Sequence, residues 1–113
     1  MNDCIFCKIV DGSIPSRKVY EDDKMLAFYD LEPQAPVHVL AIPKMHIGCV
    51  DEITEDNSEV IAHIFAKLPA IAASLGLENG YRVVTNCGRE GCQSVMHLHF
   101  HILGGTQLGG RMV

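Results

Sequence analysis

Three histidines near the C-terminus alternate with apolar residues in the segment HLHFHIL, residues 97–103. Successive side chains of a β-strand point to opposite faces, so a strand here would place His97, His99 and His101 on one face. The apolar residues Leu98, Phe100 and Ile102 would be buried on the other face. Because burying titratable rings without partners is costly, this histidine row is where we expect chemistry.

The histidine row has three interpretations: a solvent-facing strand, a metal triad or a nucleophilic site. A strand rises about 3.3 Å per residue, which would separate His97 from His101 by about 13 Å. Zinc binds nitrogen ligands at about 2.0–2.1 Å. The spacing of residues along a single strand therefore argues against a zinc site made from all three histidines.

The nucleophilic interpretation centres on His99. A neutral imidazole attacks without a separate base, because its ordinary pKa of about 6.5 leaves much of it unprotonated at neutral pH. It needs an acceptor for its other ring nitrogen and neighbours that stabilise charge on the group attacked. Phosphorus is a suitable target, since phosphoryl transfer depends mainly on positioning and charge stabilisation.

A second group of reactive residues begins with Cys4 and Cys7, whose CxxC spacing can place two thiolates on one ion. His46 and His97 are available as the third and fourth ligands. The resulting Cys2His2 set would be closed and therefore structural. Two buried thiols without metal are the alternative, whereas no βαβ pattern supports a thioredoxin-like redox pair.

The loop at residues 86–94 has the composition of an anion-binding loop. Its glycines let backbone N–H groups converge, and Asn86, Gln93 and Ser94 offer side-chain donors. Arg89 could contact phosphate, although the adjacent Glu90 is equally compatible with a solvated loop tip. A plain glycine-rich connection is the alternative, but the position of the loop just before the histidine row favours function.

The elements that must position these residues are short strands and one principal helix. We predict a short turn or helix at residues 4–10 and strands at residues 19–21, 25–29, 38–42, 81–85 and 97–103. Apolar residues recur at helical spacing from Val60 to Leu75, and Gly76 ends the helix. Pro69 should kink or loosen this helix. This pattern predicts an α+β fold with an antiparallel sheet, in a single domain spanning residues 1–113.

Composition narrows the function classes. Of the 113 residues 48% are hydrophobic, which predicts a globular chain. The formal net charge of −5 argues against nonspecific binding to nucleic acid. Neither a long apolar run nor a signal-like N-terminus is apparent, so we expect a cytoplasmic protein without a membrane partner. Five cysteines favour thiols or metal ligation over disulfides, with Cys49, Cys87 and Cys92 taken as ordinary small apolar residues.

Taken together, these residues resemble the histidine triad superfamily, whose signature alternates three histidines with apolar residues. Residues 97–103 match it at every position, and the resemblance covers nearly the whole chain. The Hint branch, which comprises nucleoside phosphoramidate hydrolases, is more similar than the dinucleoside polyphosphate hydrolases. Further matching segments are Ile14-Pro15, Glu21-Asp22-Asp23, Asp30, Pro33-Gln34-Ala35-Pro36, His38, Ile42-Pro43-Lys44, Asn86 and Gly91-Cys92-Gln93-Ser94-Val95.

The resemblance implies a HIT-like fold that forms a homodimer with one continuous sheet. It implies that His99 attacks the α-phosphorus of a purine nucleoside phosphoramidate and forms a nucleotidyl-histidine that water hydrolyses. A main-chain carbonyl near His97 would hold the other nitrogen of His99, and His38 would support the network. Either His101 or Ser94 would protonate the leaving amine.

The resemblance also assigns substrate contacts. His101, Asn86 and Ser94 would bind phosphate oxygens, with Gln93 in the same substrate-binding loop. Asp30 would bind the ribose hydroxyls, and Phe28 and Leu31 would lie near the base.

Relatives with the N-terminal CxxC hold one structural zinc ion, at positions that match Cys4, Cys7, His46 and His97. One departure is the C-terminal tail, which in some relatives is longer and carries an aromatic residue. This sequence ends Gly109-Gly110-Arg111-Met112-Val113 and contains no Trp, so leaving-group preference does not carry over. Cleavage or transfer at a phosphoanhydride and a nucleotide-binding interaction protein are the alternative functions.

Overall fold

The computed structural model describes residues 3–113, and this part of the chain forms five strands, two α-helices and a short 3-10 helix. The predicted α+β class is confirmed, and most predicted elements begin and end within two residues of those found. The elements are α1 (Ile5–Val10), β1 (Lys18–Glu21), β2 (Met25–Tyr29), β3 (Val37–Pro43), the 3-10 helix (Val50–Glu52), α2 (Ser58–Ser74), β4 (Tyr81–Val84) and β5 (Phe100–Gly104).

The histidine row is only partly a strand, and the prediction of a strand over residues 97–103 was wrong at its beginning. β5 starts at Phe100, where it pairs with Ala41 of β3. Before that point the backbone N–H of Leu98 donates to the carbonyl of Ile47, 2.6 Å away, outside the sheet. His97 and His99 therefore precede the ladder and are free to point in different directions.

The five strands form one antiparallel sheet in the order β1-β2-β3-β5-β4. The amphipathic helix α2 covers one face of this sheet, as the apolar periodicity predicts. Its buried side chains pack against alternate residues of the strands, and this cluster includes Val60, Ile64, Leu68, Ile71, Met25, Ala27, Val39, Ala41, Phe100 and Ile102.

Helix α2 ends where the sequence places its stop. Gly76 adopts a φ of +77°, which only glycine reaches without strain, and the Leu77 N–H donates to the carbonyl of Ala72. Pro69 lies within the helix, which continues through it to Ser74.

The opposite face of the sheet carries the histidines. Leu40 of β3 pairs with His101 of β5, and His38 pairs with Leu103. Because side chains two residues apart share a face, His38, Leu40 and His101 lie together, away from α2. Helix α1 packs on this face through Phe6 and Ile9. The candidate site lies beside this helix, where His38 and His101 meet.

Candidate functional site

Adjacent strands place His38 and His101 in direct contact. The Nε2 atom of His38 lies 2.8 Å from Nδ1 of His101. The backbone N–H of Gln34 donates to Nδ1 of His38 at 3.0 Å, so that nitrogen is an acceptor and we assign the His38 proton to Nε2. Nε2 of His38 then donates to Nδ1 of His101. In its neutral form His101 therefore carries its own proton on Nε2, where it can be donated to a ligand.

Burial keeps both of these rings neutral at physiological pH. Desolvation lowers the pKa of His38, opposed by the carboxylate of Asp30, whose Oδ2 lies 3.4 Å from His38 Nε2. Desolvation, with the nearby His99 and His38, lowers the pKa of His101 to about 4. A neutral His101 is both a hydrogen-bond donor and an acceptor, so the direction of donation is set by its neighbour.

His99 has the opposite arrangement of its proton. Its Nδ1 lies 2.7 Å from the carbonyl oxygen of His97, which can only accept, so Nδ1 carries the proton and Nε2 carries a lone pair. The hydroxyl of Thr85 donates to the His99 carbonyl at 2.8 Å, and the Phe6 ring meets the imidazole edge-on at 5.1 Å. The imidazole is thus fixed in one orientation and one tautomer.

A cavity of about 530 Å³ brings His99 and His101 together with most of the predicted substrate-binding residues. This volume is in the range of small-ligand pockets. Its predicted lining residues are Phe28, Asp30, Leu31, His38, Ser94, His99 and His101.

The lining of the cavity combines polar and apolar groups. The histidines, Ser94 and Asp30 contribute polar atoms, whereas the rings of Phe28 and Phe6, which meet edge-to-face at 5.6 Å, contribute apolar surface. Ile9, Ile14, Leu40 and Val95 also line the cavity and were not predicted as site residues. Hydrophobicity does not separate cavity-lining residues from core residues, and for Ile14 and Val95 the one further signal was the resemblance to the family. An arrangement of this kind can hold a flat apolar group beside an anion.

Asp30 and Leu31 lie at the rim of the cavity. One carboxylate oxygen of Asp30 accepts the backbone N–H of Glu32 at 2.8 Å, which fixes its orientation. Leu31 is 94% exposed, so it would be covered only by a ligand or another molecule.

Asn86 and Gln93 brace the predicted anion loop and do not line the cavity. The amide of Asn86 donates to the carbonyl of Gly91 at 2.7 Å. The Gln93 amide nitrogen donates to the carbonyls of Gly48 and Val95, and its oxygen accepts the N–H of Gly88. These internal hydrogen bonds leave Ser94 as the predicted loop residue that reaches the cavity.

Cys4, Cys7, His46 and His97 converge, although they come from distant parts of the chain. Nδ1 of His97 lies 3.3 Å from Sγ of Cys4 and 3.6 Å from Sγ of Cys7. Nδ1 of His46 lies 3.3 Å from Sγ of Cys7 and 3.2 Å from Nδ1 of His97. Zinc with the usual bond lengths spaces tetrahedral S and N ligands about 3.3–3.6 Å apart. The donor spacing therefore fits zinc.

The hydrogen bonds of His97 suit a metal ligand. Its Nε2 lies 2.8 Å from the carbonyl oxygen of Pro43, so Nε2 carries the proton and Nδ1 offers its lone pair to the cysteines. The ring is fully buried, and burial lowers its pKa. His97 therefore faces the thiols, whereas His99 and His101 line the cavity.

Cys49, Cys87 and Cys92 were interpreted as ordinary small apolar residues without partners at metal spacing, and the lack of such partners was wrong for two of them. Cys49 and Cys87 lie together with Asp51, and one donor atom from each lies within 4.8 Å of the others. Thirty-eight positions separate the two cysteines, so no local spacing pattern could have linked them.

Within residues 3–113, no helix is both long enough and apolar enough to cross a membrane.

The family model described as "Scavenger mRNA decapping enzyme C-term binding" matches residues 3–112. An uncharacterized HIT-like protein of Synechococcus elongatus is 50% identical over 106 residues, covering 94% of this chain and 93% of its own. The 14 kDa zinc-binding protein of Zea mays is 48% identical over 106 residues, covering 92% of this chain and 83% of its own.

Two solved structures are similar over almost their whole length. A histidine triad protein from Clostridium difficile has a TM-score of 0.94 and 47% identity, covering 98% of this chain and 97% of its own. A HIT family hydrolase from Clostridium thermocellum has a TM-score of 0.96 and 45% identity, covering 100% and 99%.

Proposed function

Since the chain belongs to the histidine triad superfamily, we propose that it is a hydrolase of purine nucleoside 5′-phosphoramidates, such as adenosine 5′-phosphoramidate. The reaction breaks the P–N bond and yields a nucleoside monophosphate and an amine. One observation carries the proposal. The hydrogen bonds made by Nδ1 of each ring assign a lone pair to Nε2 of His99 and an N–H to Nε2 of His101, and both residues line the same cavity.

In the first step, Nε2 of His99 attacks the α-phosphorus. A P–N bond to the imidazole forms, and the P–N bond to the amine breaks as the amine takes up a proton. The imidazole gains positive charge, which the hydrogen bond from Nδ1 to the His97 carbonyl stabilises. In the second step water attacks phosphorus, the bond between phosphorus and the imidazole breaks, and the proton that water loses returns to the group that protonated the amine. His99 and the proton donor are thereby restored to their starting forms.

The surrounding residues bind and orient the substrate. His101 donates its Nε2 proton to a phosphate oxygen, and His38 is a positioning residue because it fixes the His101 tautomer. Ser94 binds a phosphate oxygen, and it or His101 supplies the proton to the amine. Asp30 binds the ribose hydroxyls.

The apolar part of the cavity lining suits the base. Phe28 forms part of its wall, and the exposed Leu31 at the rim covers the base when substrate binds. Asn86 and Gln93 contribute by bracing the loop that presents Ser94.

We propose that Cys4, Cys7, His46 and His97 hold one structural zinc ion per chain. The ion would supply folding free energy rather than a reactive group, because four protein ligands leave no open position. The zinc-binding name of the Zea mays relative and the donor spacing support this assignment.

The nucleotidyl-histidine is the decisive test. The protein is mixed with adenosine 5′-phosphoramidate, quenched in acid and analysed by mass spectrometry. We expect a mass increase equal to one nucleotidyl group on the peptide that contains His99, and no increase in His99→Ala. We expect His99→Ala to lower kcat by at least about a thousandfold, as removal of a nucleophile does.

A matched control is His63→Gln, which removes a histidine on α2 that contacts Asp22 and lies outside the cavity. It should retain wild-type turnover and labelling. An active His99→Ala with an unchanged circular dichroism spectrum would contradict the assignment of the nucleophile.

The same assay separates the alternative functions. Comparison of kcat/KM for the phosphoramidate and for a dinucleoside polyphosphate distinguishes P–N cleavage from P–O–P cleavage. If the protein binds a nucleoside monophosphate but turns over neither substrate, the proposal fails in favour of a nucleotide-binding interaction protein.

A further inference from the structure

We propose that Cys49, Asp51 and Cys87 form a second cation site, which takes a thiophilic divalent ion such as zinc. The site is distinct from the Cys2His2 group and plays no part in the proposed reaction. Two thiols and one carboxylate offer donor atoms that all lie within 4.8 Å of one another. Zinc spaces such ligands about 3.4–3.8 Å apart, so small side-chain rotations suffice to close the set.

Hydrogen bonds to one side chain already hold the segment of Cys49 next to the segment of Cys87. The side chain of Gln93 donates to the carbonyl of Gly48, 2.7 Å away, and accepts the N–H of Gly88 at 2.9 Å. Gly48 precedes Cys49, and Gly88 follows Cys87. Gln93 therefore holds together the two neighbours of the thiols, which reduces the entropy that an ion would have to overcome.

The backbone of Cys87 is held from the other side as well. A Cβ atom on residue 91 would lie 2.5 Å from the carbonyl oxygen of Cys87 and 2.9 Å from its nitrogen. Only glycine permits this close packing, so the loop is built tightly around Cys87.

The chemistry of the three side chains suits a cation. The Asp51 backbone N–H donates to Sγ of Cys87, and the Asp51 carboxylate and the Cys49 thiol lie beside it. A divalent cation would bind both sulfur atoms and the carboxylate, and the two thiol protons would be released to solvent.

Exposure gives the ion access and limits its affinity. Cys49 and Cys87 are partly exposed and Asp51 is exposed, so water can complete the coordination. Three protein ligands with an open position bind more weakly than a closed set of four. We therefore expect a chelator to remove this ion before the one held by Cys4, Cys7, His46 and His97.

The test is the zinc stoichiometry of the full chain, kept reduced with a phosphine and titrated with zinc under native mass spectrometry. The wild type should bind two ions, whereas Cys49→Ser and Cys87→Ser should bind one. The matched control Cys92→Ser, which alters an exposed cysteine of the same loop, should still bind two. Asp51→Asn changes only an exposed side chain, so it should fold normally and weaken the second ion by about tenfold or more.

Three outcomes would overturn the proposal. The first is that the wild type takes up only one ion. The second is that the second ion still binds to Cys49→Ser and Cys87→Ser. The third is that the second ion is lost from Cys92→Ser. A cobalt titration gives an independent readout, because a thiolate-to-cobalt absorption band should grow with the second equivalent and be absent from Cys87→Ser.

Discussion

At the scale of single residues, the hydrogen bonds of three histidines in one short motif give each ring a different group to present. The carbonyls of Pro43 and His97 place a proton on Nε2 of His97 and on Nδ1 of His99, respectively. The chain of contacts from Gln34 through His38 places the third proton on Nε2 of His101. His97 therefore presents a lone pair on Nδ1, His99 a lone pair on Nε2 and His101 an N–H on Nε2, which is what a ligand, a nucleophile and a donor require.

Replacing the proposed donor tests this division directly. We expect His101→Gln to reduce kcat/KM by about 10²–10³-fold, because one preorganised hydrogen bond to developing phosphate charge is lost. Steady-state kinetics with the phosphoramidate measures the effect. A variant within twofold of wild type would show that His101 does not contact the phosphate.

The buried state of His101 also predicts a pH dependence of stability. Its pKa is about 4 in the folded protein and about 6.5 when unfolded, so between these values the unfolded chain binds the extra proton. The free energy of unfolding should therefore fall as the pH drops from about 6.5 to about 4. Above this window the His101 imidazole is neutral in both the folded and the unfolded protein, so it does not make the free energy of unfolding depend on pH.

Urea denaturation at a series of pH values provides the measurement, with His101→Gln as the comparison. The variant should lose less stability than the wild type across the same window. Parallel curves for the two proteins would mean that His101 is not buried as described.

At the scale of elements, the loop before β5 is held by hydrogen bonds and by one close contact. Gly91→Ala would push a methyl group into the backbone of Cys87, which cannot yield as a flexible side chain can. We expect a loss of about 1–3 kcal/mol in stability and a reduced kcat/KM, because Ser94 follows on the same loop. Thermal melting and kinetics check both effects.

Gly109→Ala is the matched control, since a Cβ there meets no heavy atom within 4 Å. It should behave as wild type. Equal behaviour of the two variants would show that the loop tolerates displacement of Cys87.

At the scale of the whole molecule, the Cys2His2 group joins the start of α1 to the segment after β3 and to the histidine row. Cys4→Ser should abolish the binding of this zinc ion and lower the Tm by more than about 10 °C, because metal binding contributes folding free energy. Metal analysis and calorimetry measure both, with Cys92→Ser as the control. A stable protein in excess chelator would contradict the structural role.

Assembly is the second prediction at this scale. The outer strands of the sheet are β1 and β4, and an exposed strand edge can pair with another chain. We propose a homodimer whose two sheets lie side by side. Light scattering should give twice the 12.4 kDa mass of the chain, and a monomer at all concentrations tested would exclude it.

The helices and strands could be predicted from the sequence because the patterns that indicate them lie within short segments of the chain. Period-two and helical spacing of apolar residues predicted the strands and α2, and the glycine at position 76 predicted where α2 ends. The beginning of β5 was misplaced because the period of two in the histidine row continues before Phe100, where the pairing with β3 stops although β3 itself continues to Pro43. Which residues of a strand are paired depends on its neighbours in the sheet, and the sequence of the strand itself does not show it.

What the sequence by itself determined is the kind of chemistry: a row of histidines, a CxxC pair and a polar loop, all placed on predictable elements. Only the tertiary structure decided which nitrogen of each ring is free, since the contacts of Pro43 with His97 and of His38 with His101 join residues far apart in the chain. It also decided that Cys49 lies beside Cys87 and that Gln93 braces a loop. The physical reason is that hydrogen bonds and metal ligation depend on distances of about 3 Å between residues far apart in the chain, which spacing along the sequence does not encode.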